Sequence, residues 1–268
     1  MNYLVPVDFS EHSKNAAEFA ASLTRIWPGN VQLVHIMVPN DEETSYITTK
    51  TVHVKENTVF EVVNLQEHLR RNFNVRTGIE MVSGRFVTRI LKTAALQKSD
   101  LIVMGMQGIS GLKPHLYGSH TMELLEESTL PVLVVPSETK FNPFGHIVFI
   151  TEYAESDQTD IIALGKIASK FKALLSVISI NSTADKDVKV RFRSSIKEQI
   201  PYAAVHFEER EHPQGQAEGL LEFSLQESVD LIALSTTNAD LVRRIAGRSF
   251  TNEFAFEADI PVLFFPAR

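Results

Sequence analysis

Cysteine is absent from all 268 residues. Disulfide scaffolds, thiol catalysis and cysteine-ligated zinc are therefore excluded, and a reducing compartment is the natural setting. No apolar run approaches the about 20 residues of a membrane span, and the opening MNYLVPVDFSEHS has neither a basic n-region nor a long apolar stretch. A cytoplasmic location and no membrane partner are expected. Positive charge is also short: 26 Lys and Arg stand against 33 Asp and Glu, a formal net charge of −7. That balance argues against holding nucleic acid by counterion release, so no nucleic-acid partner is expected. Enzyme signatures are missing as well. There is no G-x-S-x-G elbow, no HExxH and no Walker A loop, since Gly165-Lys166 is followed by Ile167 inside a helical pattern. The nine histidines are scattered, and the closest pairs, His115 with His120 and His206 with His212, lack the i,i+4 spacing of helical metal ligands. No dedicated metal site and no catalytic residue is expected.

What is present is a globular composition, 44% apolar and 22% charged, and a regular alternation of elements. Residues 3–7 read as a short apolar strand. Ser10 offers an N-cap to a helix with Ala17, Ala20, Leu23 and Ile26 near one face. The run 31–38 is almost continuously apolar, as for a strand covered on both faces. The spacing predicts helices over 48–72, 85–97 and 119–127, and strands over 75–82, 101–104 and 130–135. This β-α-β-α-β-α-β-α-β order implies an α/β fold, a doubly wound parallel sheet with right-handed crossovers.

After a linker at 137–145, the pattern restarts with a strand at 147–150, a helix at 156–171 and a strand at 174–180. An offset of 130 aligns Asp100-Leu101-Ile102 with Asp230-Leu231-Ile232, and residues 131–136 (PVLVVP) with 261–266 (PVLFFP). At the start the offset reads as 143, so the second unit is expected to be 13 residues shorter, around its second strand and the helix after it. Two tandem domains follow, 1–137 and 144–268, each a Rossmann-like five-stranded sheet of order 3-2-1-4-5.

Between residues 104 and 119 stands Gly105-x2-Gly108-x9-Gly118-Ser119. Glycines let the backbone approach a phosphate, and Gly118-Ser119 present free N–H groups at a helix N-terminus. In a 3-2-1-4-5 sheet the ligand crevice lies between the first and fourth strands, and Asp8 and Gly105 both border it. A carboxylate there suits ribose hydroxyls or a metal-bridged phosphate. The local alternatives are a charge or competing cap at a helix start for Asp8, and an ordinary turn for the glycines. His35 is either a satisfied core histidine or a crevice residue.

These residues resemble a known family. The glycine spacing, Val5-Pro6-Val7-Asp8-Phe9-Ser10 and the terminal PVLVVP strand are together similar to the universal stress proteins, across the first unit and more faintly the second. The resemblance implies a stress-response binding protein that holds ATP, with or without Mg²⁺. Carried onto matching positions, it implies a site of Pro6, Val7, Asp8, Ile36, Met104, Gly105, Gly108, Gly118 and Ser119, with His120 and Thr121 at the helix start. It also implies pairing of two such domains through their last strands, here within one chain as a pseudo-dimer. The residues FSEH at 9–12 lack the paired-histidine motif of related nucleotidyl transferases.

In the second unit Gly105 maps to Ser235, Gly108 to Asn238, Gly118 to Arg248 and Asp8 to Thr151, with Ser119 kept as Ser249. Nucleotide binding is not expected there. Arg243, Arg244 and Arg248 either hold an anion near a helix N-terminus or form a solvated charged loop. Three readings stand: a regulatory nucleotide-binding protein with an unknown protein partner, a slow Mg-dependent ATPase, and a protein-interaction module without nucleotide. Homodimerisation stays open.

Overall fold

The computed structural model describes residues 1–37, 56–106, 119–200, 205–246 and 260–267. Its first half comprises β1 Asn2–Pro6, α1 Glu11–Leu23, β2 Asn30–Met37, α2 Glu56–Phe73, β3 Arg76–Ser83, α3 Phe86–Leu96, β4 Leu101–Met106, α4 Ser119–Glu127 and β5 Val132–Pro136. The second comprises β6 His146–Ile150, α5 Glu155–Phe171, β7 Leu174–Ile180, α6 Lys186–Gln199, β8 Val205–Arg210, α7 Gln216–Gln226, β9 Leu231–Ser235, α8 Ala239–Ala246 and β10 Val262–Phe265. Expected and observed elements agree to within a residue or two wherever both are described, except that α1 ends at Leu23, short of Ile26. The start expected for α2, at residues 48–55, lies outside the described residues.

The strands form one ten-stranded sheet in the order β3-β2-β1-β4-β5-β10-β9-β6-β7-β8. Each half thus has the expected 3-2-1-4-5 order, and all pairings are parallel except β5 with β10, which is antiparallel. Parallel strands covered on both faces must be apolar on both, and β4, β5, β6 and β9 are buried almost throughout. Between β5 and β10, Val134 faces Val262, Leu133 faces Leu263 and Val132 faces Phe264. Alternate side chains at this seam enter opposite layers. Leu133 and Leu263 join the layer under α1 and α5, whereas Val132, Val134, Val262 and Phe264 join the layer under α3 and α7. Both layers therefore run unbroken from one half into the other.

The antiparallel seam also explains how a short linker suffices. β5 ends, and β6 begins, at the same end of the sheet, three strand spacings apart, or about 14 Å. The nine linker residues, 137–145, can span about twice that. The linker is itself tied down: Asn15 Nδ2 donates to the carbonyls of Pro136 and Thr139 at 3.0 and 2.9 Å, and Phe144 is buried against Phe19 and Phe171.

Shortening a seam side chain should be felt across the whole sheet. Leu263 is only 3% exposed, so Leu263→Ala is expected to cost about 2–5 kcal/mol, read by chemical denaturation. Because the layers are continuous, wild type and variant should each unfold in one transition. Two resolved transitions in the wild type would show that the halves are energetically independent.

Candidate functional site

Strand order reverses where β1 lies between β2 and β4. The helices that follow β1 and β4 leave on opposite faces, which opens a crevice beyond the carboxyl ends of these strands. Pro6 closes β1 in register with Val34, and the Val7 N–H bonds Val34 O at 2.8 Å. The chain then turns through Phe9, whose φ of 68° is left-handed, into the N-cap Ser10 of α1.

Asp8 stands on that turn with two unlike carboxylate oxygens. Its Oδ1 accepts from the Ser10 amide at 3.1 Å and from the Ser10 hydroxyl, and Oδ2 lies 3.9 Å from His12 Nε2. Ser10 Oγ lies 2.9 Å from His12 Nε2, and the Asp8 amide donates to Ser13 Oγ at 3.4 Å. Partial burial pushes the Asp8 carboxyl up. The hydrogen bonds from Ser10 and Ser13 and the nearby His12 outweigh it, and the net effect holds Asp8 below the ordinary aspartate range. With its side chain 67% exposed, Asp8 offers an ionised oxygen to the crevice. Ser10 and His12 escaped the sequence reading as partners of Asp8, although the i,i+2 and i,i+4 spacing was the available signal.

The structure brings Gly105 to the same place for a reason other than the expected one. Gly105 lies inside β4, paired with Val135, and its φ is not positive. A Cβ there would stand 2.1 Å from the carbonyl oxygen of His12. The glycine admits the first turn of α1 against β4, and so fixes where the Asp8–Ser10–His12 turn sits. His35, at the carboxyl end of β2, resolves into a half-buried residue that borders the crevice. Its Nδ1 is 2.8 Å from Val7 O, a contact that requires the proton on Nδ1, and its ring packs 4.7 Å from that of Phe9. With the Val7 amide committed to Val34, Val7 can offer a ligand only a carbonyl lone pair.

The remaining residues are placed less centrally. Ile36 is half-buried beside Val82, and Met104 packs into the layer under α3, so any contact it makes with a ligand is through its backbone. Thr121 is buried on the inner face of α4 with Leu124 and Leu125, whereas His120 is exposed and stacks 4.8 Å from Phe86. Ser119 begins α4. Gly108 and Gly118 lie outside the described residues.

The second half requires a correction. Asn2 pairs with Asn30 as His146 pairs with Leu174, and Tyr3 pairs with Leu101 as Ile147 pairs with Leu231. The offset at the start is therefore 144, not 143, and the second half is shorter by 14. The left-handed turn confirms it, with Phe9 at φ 68° and Tyr153 at φ 65°. The counterpart of Asp8 is Glu152, not Thr151. The Glu152 amide donates to Asp157 Oδ2 at 3.2 Å, as the Asp8 amide does to Ser13. An acidic residue thus survives in the second crevice, contrary to expectation, but it is engaged. Glu152 Oε1 accepts from Gln216 Nε2 at 2.8 Å, and Gln216 Oε1 from Asn238 Nδ2 at 3.3 Å. This strap joins the β6 turn to the start of α7 and to the end of β9.

The arginines of this region are also not where the sequence suggested. Asn238 caps α8 through Leu241 N at 3.0 Å, so the helix N-terminus lies at residues 238–240. Arg243 and Arg244 fall in the later turns of α8, where the helix dipole does not favour anions. Arg243 is exposed, and Arg248 and Ser249 lie outside the described residues.

Asp8 and Asp157 should carry opposite pH signatures. The folded chain favours ionised Asp8, so its contribution to stability is present above about pH 4 and is lost as pH falls through its lowered value. Asp157 is buried, which raises it despite hydrogen bonds from Thr151, Glu152 and Ala154. Its contribution is present below about pH 4 and is lost as pH rises through the raised value. In melting curves from pH 3 to 7, Asp8→Asn should lose ground to wild type as pH rises and Asp157→Asn should gain it. Parallel curves for both variants would contradict the analysis.

Against this geometry the likenesses to known proteins can be read. Residues 1–136 match the sequence model described as the universal stress protein family. A universal stress protein of Methanocaldococcus jannaschii is 27% identical over 142 residues, 51% of this chain and 82% of the relative. The universal stress protein YxiE of Bacillus subtilis (strain 168) is 30% identical over 143 residues, 49% of this chain and 96% of the relative. A crystal structure of a universal stress protein from Archaeoglobus fulgidus DSM 4304 shares the fold over 99% of this chain and 98% of that one, with a TM-score of 0.68 at 15% identity. Each curated relative is thus matched by about half of this chain, while a solved structure matches both halves in tandem. The match over residues 1–136, half of the chain, shows that this chain belongs to the universal stress protein family.

Proposed function

We propose that the chain is a regulatory nucleotide-binding protein that takes one adenine nucleotide, ATP foremost, into the crevice between β1 and β4. The observation that carries the reading is the difference between the two crevices. In the first, Asp8 has Oδ1 held by Ser10, and its side chain stays 67% exposed and ionised. In the second, the corresponding Glu152 has Oε1 tied through Gln216 to Asn238, a link across the crevice that the Asp8 turn lacks among the described residues. The exposed carboxylate of Asp8 fits a ribose hydroxyl, and the Gly108, Gly118 and Ser119 positions suit phosphates. Bound ATP would bring Mg²⁺ with its phosphates, the ion's usual manner of binding.

The arrangement around Ser10 supplies no activated serine nucleophile. The hydroxyl that donates to Asp8 is approached by His12 Nε2 on its other side, so His12 is the donor there and is not poised to remove the Ser10 proton. Asp8 orients the turn and the ligand, and occupancy would act by changing how the crevice mouth meets a protein partner. That switch needs a partner that distinguishes the two states.

Native mass spectrometry on protein purified without added ligand is expected to show one adenine nucleotide per chain. Asp8→Asn should weaken ATP binding about 10- to 100-fold, from the loss of a charge-assisted hydrogen bond. Gly118→Arg, copying Arg248, should abolish binding while the chain stays folded. Two nucleotides per chain, or affinity unchanged in Gly118→Arg, would sink the asymmetric site. Loss of bound ATP to ADP within minutes in single turnover would favour the ATPase reading instead.

A further inference from the structure

A group of arginines lies far from the crevice. A cavity of about 640 Å³ between the end of α2 and the start of β3 is lined by Glu67, Arg70, Arg71, Asn74, Val75 and Arg76. It sits on the outer edge of the sheet, at the amino ends of the first-half strands. β3 is eight residues long, so about 26 Å separates this cavity from the level of the Asp8 turn.

The sequence builds the cleft with a helix stop. Asn74 takes φ 52°, and its N–H bonds Arg70 O at 3.1 Å, which ends α2 in a left-handed turn. Val75 is buried, and the chain reverses so that Arg76 opens β3 beside the helical turn that carries Arg70 and Arg71. Arg71 pairs with Glu67, but Arg70 and Arg76 have no carboxylate partner among the described residues. Arg25, likewise without one, lies beside the same turn, 5.5 Å over the Phe73 ring.

Two features make this more than a solvated helix end. The chain carries a net charge of −7, yet here three arginines and a single glutamate line one concavity, a local excess of positive charge that favours an anion. A helix C-terminus would ordinarily oppose an anion. In this turn, however, the carbonyls of His68, Arg70 and Asn72 are already hydrogen-bonded, by the Asn72 side chain, the Asn74 amide and Arg25.

We propose that this cleft binds a small polyanion, a molecule with two or more phosphate or carboxylate groups close together, at a site separate from the crevice. The volume is that of a small-molecule site. Arg70 and Arg76, both on its lining, each carry a guanidinium fork suited to bidentate contact with an anionic group.

The test is calorimetric titration of the full chain with inorganic tripolyphosphate and, separately, with citrate. Binding of either is expected, and Arg70→Gln and Arg76→Gln should each weaken it about tenfold, whereas Asp8→Asn and Gly118→Arg should leave it unchanged. Binding of tripolyphosphate alone assigns the site to phosphates, and binding of citrate alone to carboxylates. Both arginines are exposed, so the variants should fold. As a check independent of them, tripolyphosphate should shift the wild-type amide resonances of residues 70–76. Failure of both anions to bind at millimolar concentration would overturn the proposal. So would binding lost in Gly118→Arg but kept in the arginine variants.

Discussion

The antiparallel pairing of β5 with β10 is the contact on which the rest of this molecule depends. An open five-stranded sheet leaves a last strand with unpaired N–H and C=O groups and apolar faces that nothing covers at the rim. Here each half supplies the partner for the other's last strand, and Leu133, Leu263, Val132, Val134, Val262 and Phe264 carry both hydrophobic layers across the seam. The edges left over are β3 and β8. Their half-buried, polar-spotted residues do not invite further pairing.

Covalent linkage makes this pairing intramolecular, at an effective concentration of order millimolar. Two identical chains associating through the same strands would carry two identical crevices. Within one chain the halves are free to differ, and they do. One keeps Asp8 on an ionised, outward-facing turn held by Ser10. The other keeps an acid at the same backbone position but draws Glu152, Gln216 and Asn238 into a strap.

Much of this was legible in the sequence, for identifiable reasons. Strands buried on both faces read as apolar runs, and the PVLVVP and PVLFFP segments marked both last strands. The strand order followed from β-α alternation, and the structure sets Asp8 and Gly105 at the same end of the adjacent strands β1 and β4. What failed was register. A one-residue slip at the start of the second half assigned Thr151 to the Asp8 position, because the left-handed residues that fix the turn, Phe9 and Tyr153, are not glycines and carry no sequence signal. The role of Gly105 was hidden because the atom that excludes a side chain, His12 O, belongs to another element. Arg243 was misplaced because α8 starts directly after β9, capped by Asn238, earlier than the repeat with the first half implied.

The reversal of direction at the seam also sets which way each part of the molecule looks. The strands of the first half run toward one pole and those of the second toward the other, so the Asp8 crevice opens at the first pole and the Glu152 strap lies at the second. The arginine cleft, at the amino ends of the first-half strands, shares the second pole with the strap. A body resting flat on the first pole would meet the Asp8 crevice and neither of the others. The molecule therefore presents different groups at its two poles, and its orientation on any surface it approaches would decide which of them is exposed.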